Sequence, residues 1–428
     1  MKSLSLIAAN RCIGSLWYVI SIVLLVPAAQ AVTLAEVSEK ALSANPDLQV
    51  FQYRSQRAKA QAETAALKPA YELALEAENF AGSGEFADFD NAEYTVSLSS
   101  VVELGGKRNA RLHAADSRMA QLQYQREAES LSLLGRVNRT FIKLLALQEQ
   151  QRVNQRATEL AESSLQMVSL RVSRGAAPSA EKLRAQALLA EARLQLDATS
   201  AAIERQRFEL ANFWGGTPQE VGEADGRLFQ FPRPATFAEL WQQLESAPVN
   251  QQLAATVRWR EAELALAEAD ASSDLSWRLG LKQLQTNNDT ALVAGVAVPL
   301  FSQGRASGSI NTAKAAREIA ASEQRASLLQ LRQRLHTAWS LQREYSQRAL
   351  RIREHIIPAL QQAAEQTKQA YQRGRYSYVD WVSAQRELYQ AEINAIDAAA
   401  EALANQTLIE QLTARPYGAE AVEKSLQE

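Results

Sequence analysis

The chain has 428 residues and a formal net charge of −2 at pH 7, and apolar residues make up 46% of it. Aromatic residues make up only 7%, and glycine and proline number 17 and 11, which is typical of long helices rather than several ordinary globular domains. The slightly negative net charge does not favour binding to nucleic acid. The single cysteine is Cys12, so disulfides and cysteine metal sites are excluded beyond residue 31.

Residues 1–31 have the pattern of a secretory signal peptide. Lys2 and Arg11 supply positive charge, an apolar run covers 12–26, and 29–31 is a small-x-small cleavage site. An uncleaved membrane anchor is the alternative, but the run is short for the roughly 20 residues that a spanning helix needs. We therefore expect cleavage after residue 31, which removes two positive charges and changes the formal net charge from −2 to −4.

The remaining chain repeats itself at an offset near 200 residues. Residues 46–75 and 248–277 each begin at a proline, continue as a helical pattern and end in alternating apolar residues. Similarly, "RVSRGAAPSAEKLRAQALLAEA" (171–192) resembles "AYQRGRYSYVDWVSAQRELYQAE" (370–392). We predict two structural repeats, over 32–216 and 235–413. A linker containing glycine and proline joins them over 217–234, and a C-terminal tail follows over 414–428.

Each repeat is predicted to contain a first helix, a β-hairpin, a long helix, a glycine turn and a further helix. The hairpin, long helix and last helix fall at 71–102, 107–174 and 180–213 in the first repeat, and at 274–301, 305–373 and 378–412 in the second. The first helix of the first repeat is predicted near 34–67 as one continuous helix. Each long helix is a rod of roughly 100 Å. The spacing of its apolar residues also fits a free coiled-coil dimer.

The hairpins alternate apolar and polar residues over about ten positions, the length that a tilted strand needs to cross a bilayer. A soluble sheet shows the same alternation, but this chain offers little besides helix to cover one. Four strands cannot close a barrel, so several chains must share it, and three copies give twelve strands. The side chains then facing water include Glu72, Glu76, Glu78, Arg278 and Lys282. The predicted fold is mainly α with a small β part.

A strand-to-helix corner with glycine and a basic residue occurs in each repeat, at "ELGGKR" (103–108) and "SQGR" (302–305). The glycines are expected to supply backbone angles that other residues resist, and the basic side chains to reach lipid phosphates. These corner residues are Gly105, Gly106, Lys107, Arg108, Gly304 and Arg305. Nucleotide binding by "GGK" is poorly supported, because the P-loop spacing requires glycine where Val101 stands.

The chain lacks the sequence signs of an enzyme. Its histidines, His113, His336 and His355, are scattered without HExxH spacing, and neither a GxSxG motif nor a cysteine nucleophile is present beyond residue 31. We therefore predict no catalytic residues, no cofactor and no metal-binding site. A metal cargo would pass without being held.

The duplication, "ELGGKR", "VAVPLFSQGR" (296–305) and "AYQRGRYSYVDWVSAQRELYQAEI" (370–393) together resemble the TolC family of outer-membrane efflux channels. Within that family, "ELGGKR" is most similar to the outer-membrane components of cobalt–zinc–cadmium resistance systems. The resemblance implies a homotrimer with twelve strands in the outer-membrane lipid of a Gram-negative cell and a helical barrel in the periplasm. It also implies two protein partners, a periplasmic adaptor and an inner-membrane RND pump.

As a channel of this family, the protein would conduct its substrate passively, and the metal subfamily implies heavy-metal cations. An exit duct for drugs or secreted proteins is an alternative within the same class. A periplasmic coiled-coil adaptor or scaffold is the alternative of another class, and it leaves the four alternating strands without a role.

The resemblance further implies a gate and an adaptor-docking surface at the helical tips after two glycine turns, at Gly175 and Gly374. Aligned on Gly374, Asp380 falls on an aspartate of the acidic ring that narrows the pore, and Tyr371 on a tyrosine of the closing network. An acid in the first turn of a helix also complements the helix dipole, which is the alternative role for Asp380.

Two gate positions depart from the family pattern. Ser383 replaces a second ring acid, and Tyr376 replaces a linking arginine, although Arg375 is adjacent. Aligned on the first glycine turn, Glu181 takes the place of that arginine's acidic partner. The closing contact implied by the resemblance therefore joins Glu181 to Arg375.

Overall fold

The computed structural model describes residues 31–232, 235–300 and 302–414. The predicted signal peptide up to residue 30 and the tail from residue 415 lie outside the described residues. Nine α-helices are present in the described ranges: α1 Leu34–Ala44, α2 Pro46–Ala65, α3 Lys107–Ser173, α4 Ser179–Ala211, α5 Phe237–Ser246, α6 Pro248–Asp270, α7 Ser302–Arg351, α8 Ile357–Gln372 and α9 Tyr378–Thr413. The six strands of the same ranges are β1 Val32–Thr33, β2 Glu72–Glu78, β3 Glu93–Val102, β4 Ala224–Asp225, β5 Leu275–Leu284 and β6 Asp289–Ala297.

The first predicted helix of the chain, near 34–67, is two helices. Asn45 has extended backbone between α1 and α2, because a residue before proline is disfavoured in the helical region. Its side chain then caps α2 by accepting a hydrogen bond from the backbone N–H of Asp47 at 3.0 Å. The prediction of one continuous helix there is wrong for this reason.

The second long helix is interrupted next to its proline, as predicted, and the irregular turn lies just before that proline. A π-helical turn covers Ile352–Ile356 between α7 and α8, and Pro358 follows in the first turn of α8. Proline has no N–H to donate and its ring crowds the preceding turn, so the helix widens there. By contrast, α3 runs unbroken for 67 residues.

The two hairpins form one antiparallel sheet in the order β2-β3-β5-β6. The register places Leu75, Val96, Leu281 and Leu292 side by side across it. This face is exposed, with Leu75 and Leu292 at 77% and 78%. None of the helices in the described part of the chain combines the length and the apolar content that a membrane span requires.

The opposite face of the sheet carries the charged residues predicted to line water. Arg278 bonds Glu76 at 3.0 Å, and Lys282 bonds Glu78 at 3.2 Å and also contacts Glu93. Period-2 alternation therefore separates an apolar from an ion-paired face.

The largest core lies midway along the rods, where helices of both repeats meet. Val37, Val137, Leu144, Leu210 and Ala399 are completely buried there. The predicted linker 217–234 joins this core in its described part, because Val221 and Leu228 are buried in it and β4 pairs in parallel with β1. The predominance of long helices with a small sheet confirms the predicted fold class.

Candidate functional site

The first strand-to-helix corner requires its glycines. Gly105 and Gly106 have φ of +69° and +73°, a region that side chains other than glycine rarely adopt. A Cβ on Gly105 would also lie 2.2 Å from the Ser272 hydroxyl oxygen. The corner is therefore tightly packed against the turn that follows α6, and it has the left-handed backbone that was predicted.

The second corner is built differently, and the prediction for its glycine is wrong. Helix α7 already begins at Ser302, so Gly304 lies in its first turn with helical backbone. Residues 298–300 leave β6 before the helix starts, so this corner does not need Gly304 for an unusual angle.

The three basic side chains of the corners have different surroundings, and one of them contradicts the prediction. Lys107 is buried, and its Nζ lies 2.8 Å from Asp274 Oδ2, so the expectation that it reaches lipid phosphates is wrong. Arg108 is half-buried and donates from Nε to the Ala66 carbonyl at 2.7 Å. Arg305 is exposed, and its contact with lipid stays a prediction.

Asp274 is a corner residue that sequence reasoning missed. Besides holding Lys107, it accepts a hydrogen bond from the Leu104 N–H at 3.1 Å. Asp274 lies far from Lys107 and Leu104 in sequence, and the only signal was its place at the start of the predicted second hairpin, directly before β5. A carboxylate there ties the first corner to the second hairpin.

The two helical tips at the other end of the rods have the same turn. Gly175 and Gly374 have φ of +73° and +71°. In each tip the glycine N–H and the next N–H bond the helix just ended, at 3.0 and 2.8 Å in the first and at 2.9 Å for both in the second. These turns close the C-termini of α3 and α8, and the duplication seen in the sequence extends to their hydrogen bonds.

A shared aromatic core joins the two tips. Tyr371, Tyr378 and Trp381 are buried together with Val168 and Ala185 of the first repeat. The rings of Tyr371 and Trp381 stack with centroids 5.2 Å apart. The tips are therefore packed on each other within one chain.

Glu181 is bonded to Tyr371 rather than to Arg375. The Tyr371 hydroxyl donates to Glu181 Oε2 at 2.9 Å. Burial of the tyrosine, together with this bond, raises the pKa of the Tyr371 hydroxyl well above its usual range, so it stays a neutral donor. Within one chain, the closing contact implied by the family resemblance is therefore replaced by a bond between Glu181 and Tyr371.

Asp380 is exposed in the first turn of α9, where it forms a capping box with the N-cap residue Ser377. Its Oδ2 accepts from the Ser377 N–H at 3.0 Å and from the Ser377 hydroxyl at 2.7 Å. In return the Ser377 hydroxyl accepts from the Asp380 N–H at 3.2 Å. The bonds from Ser377 lower the pKa of Asp380, so this carboxylate is charged. The early-helix role is present, and the pore-ring role stays a prediction.

The N-cap residue explains why two equivalent acids have different partners. Glu181 and Asp380 each stand six residues after a tip glycine. The N-cap of α9 is Ser377, whose hydroxyl engages Asp380, whereas the N-cap of α4 is Pro178, which makes no side-chain cap. Glu181 is therefore left to reach across to Tyr371.

The other predicted gate residues lie at the same end of the molecule. Arg375, Tyr376 and Ser383 are exposed, with Tyr376 at 55%. Their position at the tip leaves them available to neighbouring molecules, and their role in a gate stays a prediction.

Arg171 is the tip residue that sequence reasoning missed. Its Nη1 donates to the Tyr371 carbonyl at 2.7 Å and to the Gln372 carbonyl at 3.2 Å, and its Nη2 to the Ala176 carbonyl at 3.3 Å. The guanidinium also lies 4.6 Å from the centre of the Tyr371 ring. The only sequence signal was that the equivalent residue in the second repeat is Ala370.

The described residues contain no group of three or more His, Cys, Asp or Glu placed to hold a metal ion. The distinctive chemistry lies in an exposed apolar sheet face, an ion-paired face and a hydrogen-bonded tip. These features suit a passage and its closure better than catalysis.

Comparison with known proteins gives consistent matches. A family model described as "Outer membrane efflux protein" matches residues 37–216 and 241–415. The chain is 26% identical over 321 residues to the cobalt-zinc-cadmium resistance protein CzcC of Cupriavidus metallidurans, a match covering 75% of this chain and 77% of CzcC. It is also 26% identical over 327 residues to the pyoverdine export outer membrane protein OpmQ of Pseudomonas aeruginosa, covering 72% and 66%.

Solved structures agree on the fold. The outer-membrane channel OprN superimposes with a TM-score of 0.75 at 20% identity, covering 89% of both chains. At that identity the likeness shows a common fold and nothing about substrate.

Proposed function

Since the chain belongs to the outer membrane efflux protein family, we propose that it conducts heavy-metal cations from an RND pump and its periplasmic adaptor to the cell exterior. As a member of this family it is an outer-membrane efflux channel and not an enzyme. The transport step is passive in this proposal, since energy would come from the pump.

The observation that carries the proposal is the exposed apolar face of the sheet. Leu75 and Leu292 are 77% and 78% exposed. Exposing such apolar side chains to water costs free energy, and contact with lipid removes that cost. Ten-residue strands such as β3, tilted by about 40°, span about 25 Å, the height of the apolar band of outer-membrane proteins. The sheet therefore has the chemistry and the height of a membrane wall.

Aromatic residues at both ends of the sheet support this placement. Tyr71 and Trp277 meet edge to face at one end with centroids 6.3 Å apart. Phe80 and Phe89 stack at the other end at 5.5 Å. Aromatic girdles at both membrane interfaces are typical of transmembrane strands, so the apolar band lies between these two pairs.

The edges of the chain support the proposed homotrimer. Strands β2 and β6 are the outer strands of the sheet, and α2 and α7 are the helices that adjoin them. These helices carry exposed apolar side chains, among them Tyr53 at 67%, Ile319 at 58% and Leu329 at 70%. Three copies joined edge to edge would give twelve strands in the membrane and cover these residues. The helices would then form a periplasmic tunnel.

Two considerations support cations as the substrate. CzcC is, by its name, a protein of cobalt, zinc and cadmium resistance. On the polar face of the sheet, acidic side chains outnumber basic ones, with Glu72, Glu76, Glu78 and Glu93 against Arg278 and Lys282. An excess of negative charge along a pore attracts cations, and a ring of three Asp380 carboxylates would add to it at the tip.

Export of small organic molecules is the second candidate, because OpmQ, named for pyoverdine export, matches this chain with the same identity. Deleting the gene and measuring growth inhibition by zinc, cobalt, cadmium and common antibiotics separates the two candidates. Metal sensitivity restored by the intact gene supports metal efflux, and sensitivity to antibiotics alone contradicts it.

A second experiment tests the channel itself. The purified protein, placed in planar bilayers under a salt gradient, is expected to conduct with a reversal potential favouring cations. Outer-membrane fractionation and heat-modified gel mobility test its location. A protein recovered without membrane would favour the alternative of a periplasmic adaptor or scaffold.

A further inference from the structure

We propose that four arginines of α2, α3 and α6 form a binding site for a phosphate-type oxyanion. The four are Arg54, Arg57, Arg118 and Arg260, and we call them the arginine cluster. The inference goes beyond the proposed function, because binding an anion requires no conduction.

Trp259 of α6 brings two of these arginines together. The centre of a Trp259 ring lies 4.1 Å from the guanidinium carbon of Arg118 and 4.1 Å from that of Arg260. A guanidinium group stacks favourably on an aromatic ring, so the indole holds two like charges close to each other. Both arginines are half-buried, so their guanidinium groups are held in place without a ligand.

Helix α2 adds two exposed arginines beside this pair. Burial lowers the pKa of the Arg118 guanidinium, and nearby positive charges lower it further. Those charges belong to Arg260, Arg57 and Arg54. The acid that acts against them is Glu263, which already accepts a hydrogen bond from Arg260 at 2.7 Å. Four positive charges therefore face one negative charge.

The described part of the chain supplies no further acid to the cluster. At the start of α3, Lys107 bonds a carboxylate at 2.8 Å. Arg118 on the same helix instead donates to the neutral amide oxygen of Gln121 at 2.9 Å. Arg54 and Arg57 form no ion pair with any residue of the described ranges. The excess positive charge is therefore left for a ligand to neutralise.

The equivalent arginine of the second repeat has the opposite surroundings. Counted from the tip glycines, Arg118 corresponds to Arg317. The bond from Arg317 to Glu318 raises the pKa of Arg317, and the charges of Glu261 and Glu268 raise it further. The duplication thus places an arginine at the same point of each repeat, and only the first is surrounded mainly by positive charge.

The next copy in the proposed trimer would not neutralise the cluster. Arg57 and Arg54 lie about 12 and 17 Å along α2 from its last residue, Ala65. At the same distances from the start of α7 stand residues 310–313, which are uncharged, and Lys314 follows them. An edge-to-edge contact between α2 and α7 therefore brings no acid to this depth.

A free phosphate-type ion suits the cluster better than a lipid head group. The guanidinium fork matches phosphate oxygens, and an excess of three positive charges favours a multiply charged anion. Arg118 lies about 16 Å along α3 from its first residue, Lys107. In the proposed membrane position, head groups reach only about 5–8 Å beyond the apolar layer. A bound ion there would bridge α2 and α3 of the first repeat to α6 of the second.

Calorimetric titration with inorganic phosphate tests the site. The protein is purified in neutral detergent and titrated at constant ionic strength, with chloride as the other anion. Loss of a charge-assisted hydrogen bond should weaken phosphate binding about tenfold or more in Arg118→Gln. Arg57→Gln, at an exposed residue, should also weaken it severalfold. Arg317→Gln removes the same charge from the equivalent position and should bind phosphate like the unaltered protein.

The outcomes decide both the site and its ligand. Absence of saturable binding to the unaltered protein refutes the site, and so does equal weakening in Arg317→Gln, which would show an effect of net charge alone. Arg57→Gln keeps the test decisive if Arg118→Gln does not fold. Repeating the titration with phosphatidylglycerol in the micelles identifies the source of the phosphate. Unchanged binding supports a free anion, whereas loss of binding overturns it in favour of a lipid head group.

This titration is independent of the planar-bilayer test of the proposed function. A protein that conducts but does not bind phosphate loses the arginine cluster as a site and keeps the channel. A protein that binds phosphate but does not conduct keeps the site and loses the channel.

Discussion

The sharpest test of the membrane sheet compares two neighbouring residues of β6, Leu292 and Val293. They lie at the same depth near the middle of the strand and point to opposite faces. Leu292 is level with Leu281 on the apolar face, and Val293 is level with Gly280 on the polar face. The matched variants are Leu292→Arg and Val293→Arg.

The expected difference follows from the environment of each face. An arginine on the lipid face near the bilayer midplane costs about 2–4 kcal/mol, whereas one on the water-lined face costs little. Leu292 is 78% exposed in the chain, so little protein surrounds it to shield the charge from lipid. At about 1.4 kcal/mol per factor of ten, Leu292→Arg should reduce assembly by about 30-fold or more.

Assembly is measured as the fraction of protein that folds into lipid vesicles and shows heat-modified gel mobility. Val293→Arg should fold like the unaltered protein, since Glu76 shares its face. Equal folding of both variants would refute the assignment of the apolar face to lipid. A defect in Val293→Arg alone would reverse the two faces.

Three further predictions concern the tip and the corner. Asp380→Asn should lower cation selectivity in planar bilayers, and unchanged selectivity in the variant would remove Asp380 from the pore. The bonds from Ser377 lower the pKa of Asp380, so the cation selectivity of the unaltered protein should persist as pH falls, until the pH passes below the usual carboxyl range. Ser377→Ala should cost about 1 kcal/mol through loss of the α9 cap, seen as faster hydrogen exchange at the start of that helix, whereas Pro178→Ala removes no side-chain cap and serves as the comparison. Asp274→Ala leaves Lys107, whose side chain is only 10% exposed, buried without its partner, and should lower the stability measured in thermal melts by about 2 kcal/mol. Asp270→Ala, at an exposed neighbouring residue, is the control. Equal melting temperatures for the two variants would contradict the corner contact.

Local periodicity let the sequence predict the elements of the fold. The alternation in Glu72–Glu78 and Leu275–Leu284 depends only on the period of a strand, and the unbroken pattern of Lys107–Ser173 only on helix propensity. The left-handed angles at Gly175 and Gly374 were predictable as well, because few residues besides glycine adopt them. The strands, the long helices and the tip turns follow from interactions between near neighbours in the chain.

The predictions from sequence were wrong where a short-range rule and a longer pattern favour different structures. Asn45 ends α1 because a proline follows it, although the apolar pattern continues through it. Gly304 is helical, although its neighbours resemble those of the first corner. At Asn45 the short-range rule for a residue before proline decided the structure, whereas at Gly304 the longer helical pattern decided it.

Only the tertiary structure decided which side chains meet. Glu181 bonds Tyr371 rather than Arg375, and the two partners of that bond lie 190 residues apart. Lys107 bonds Asp274 across 167 residues, and Arg171 reaches Tyr371 across 200. Such contacts depend on which helix ends are brought side by side and how each helix is rotated about its axis. Those quantities are set by packing over the whole length of the rods, so no local pattern in the sequence records them.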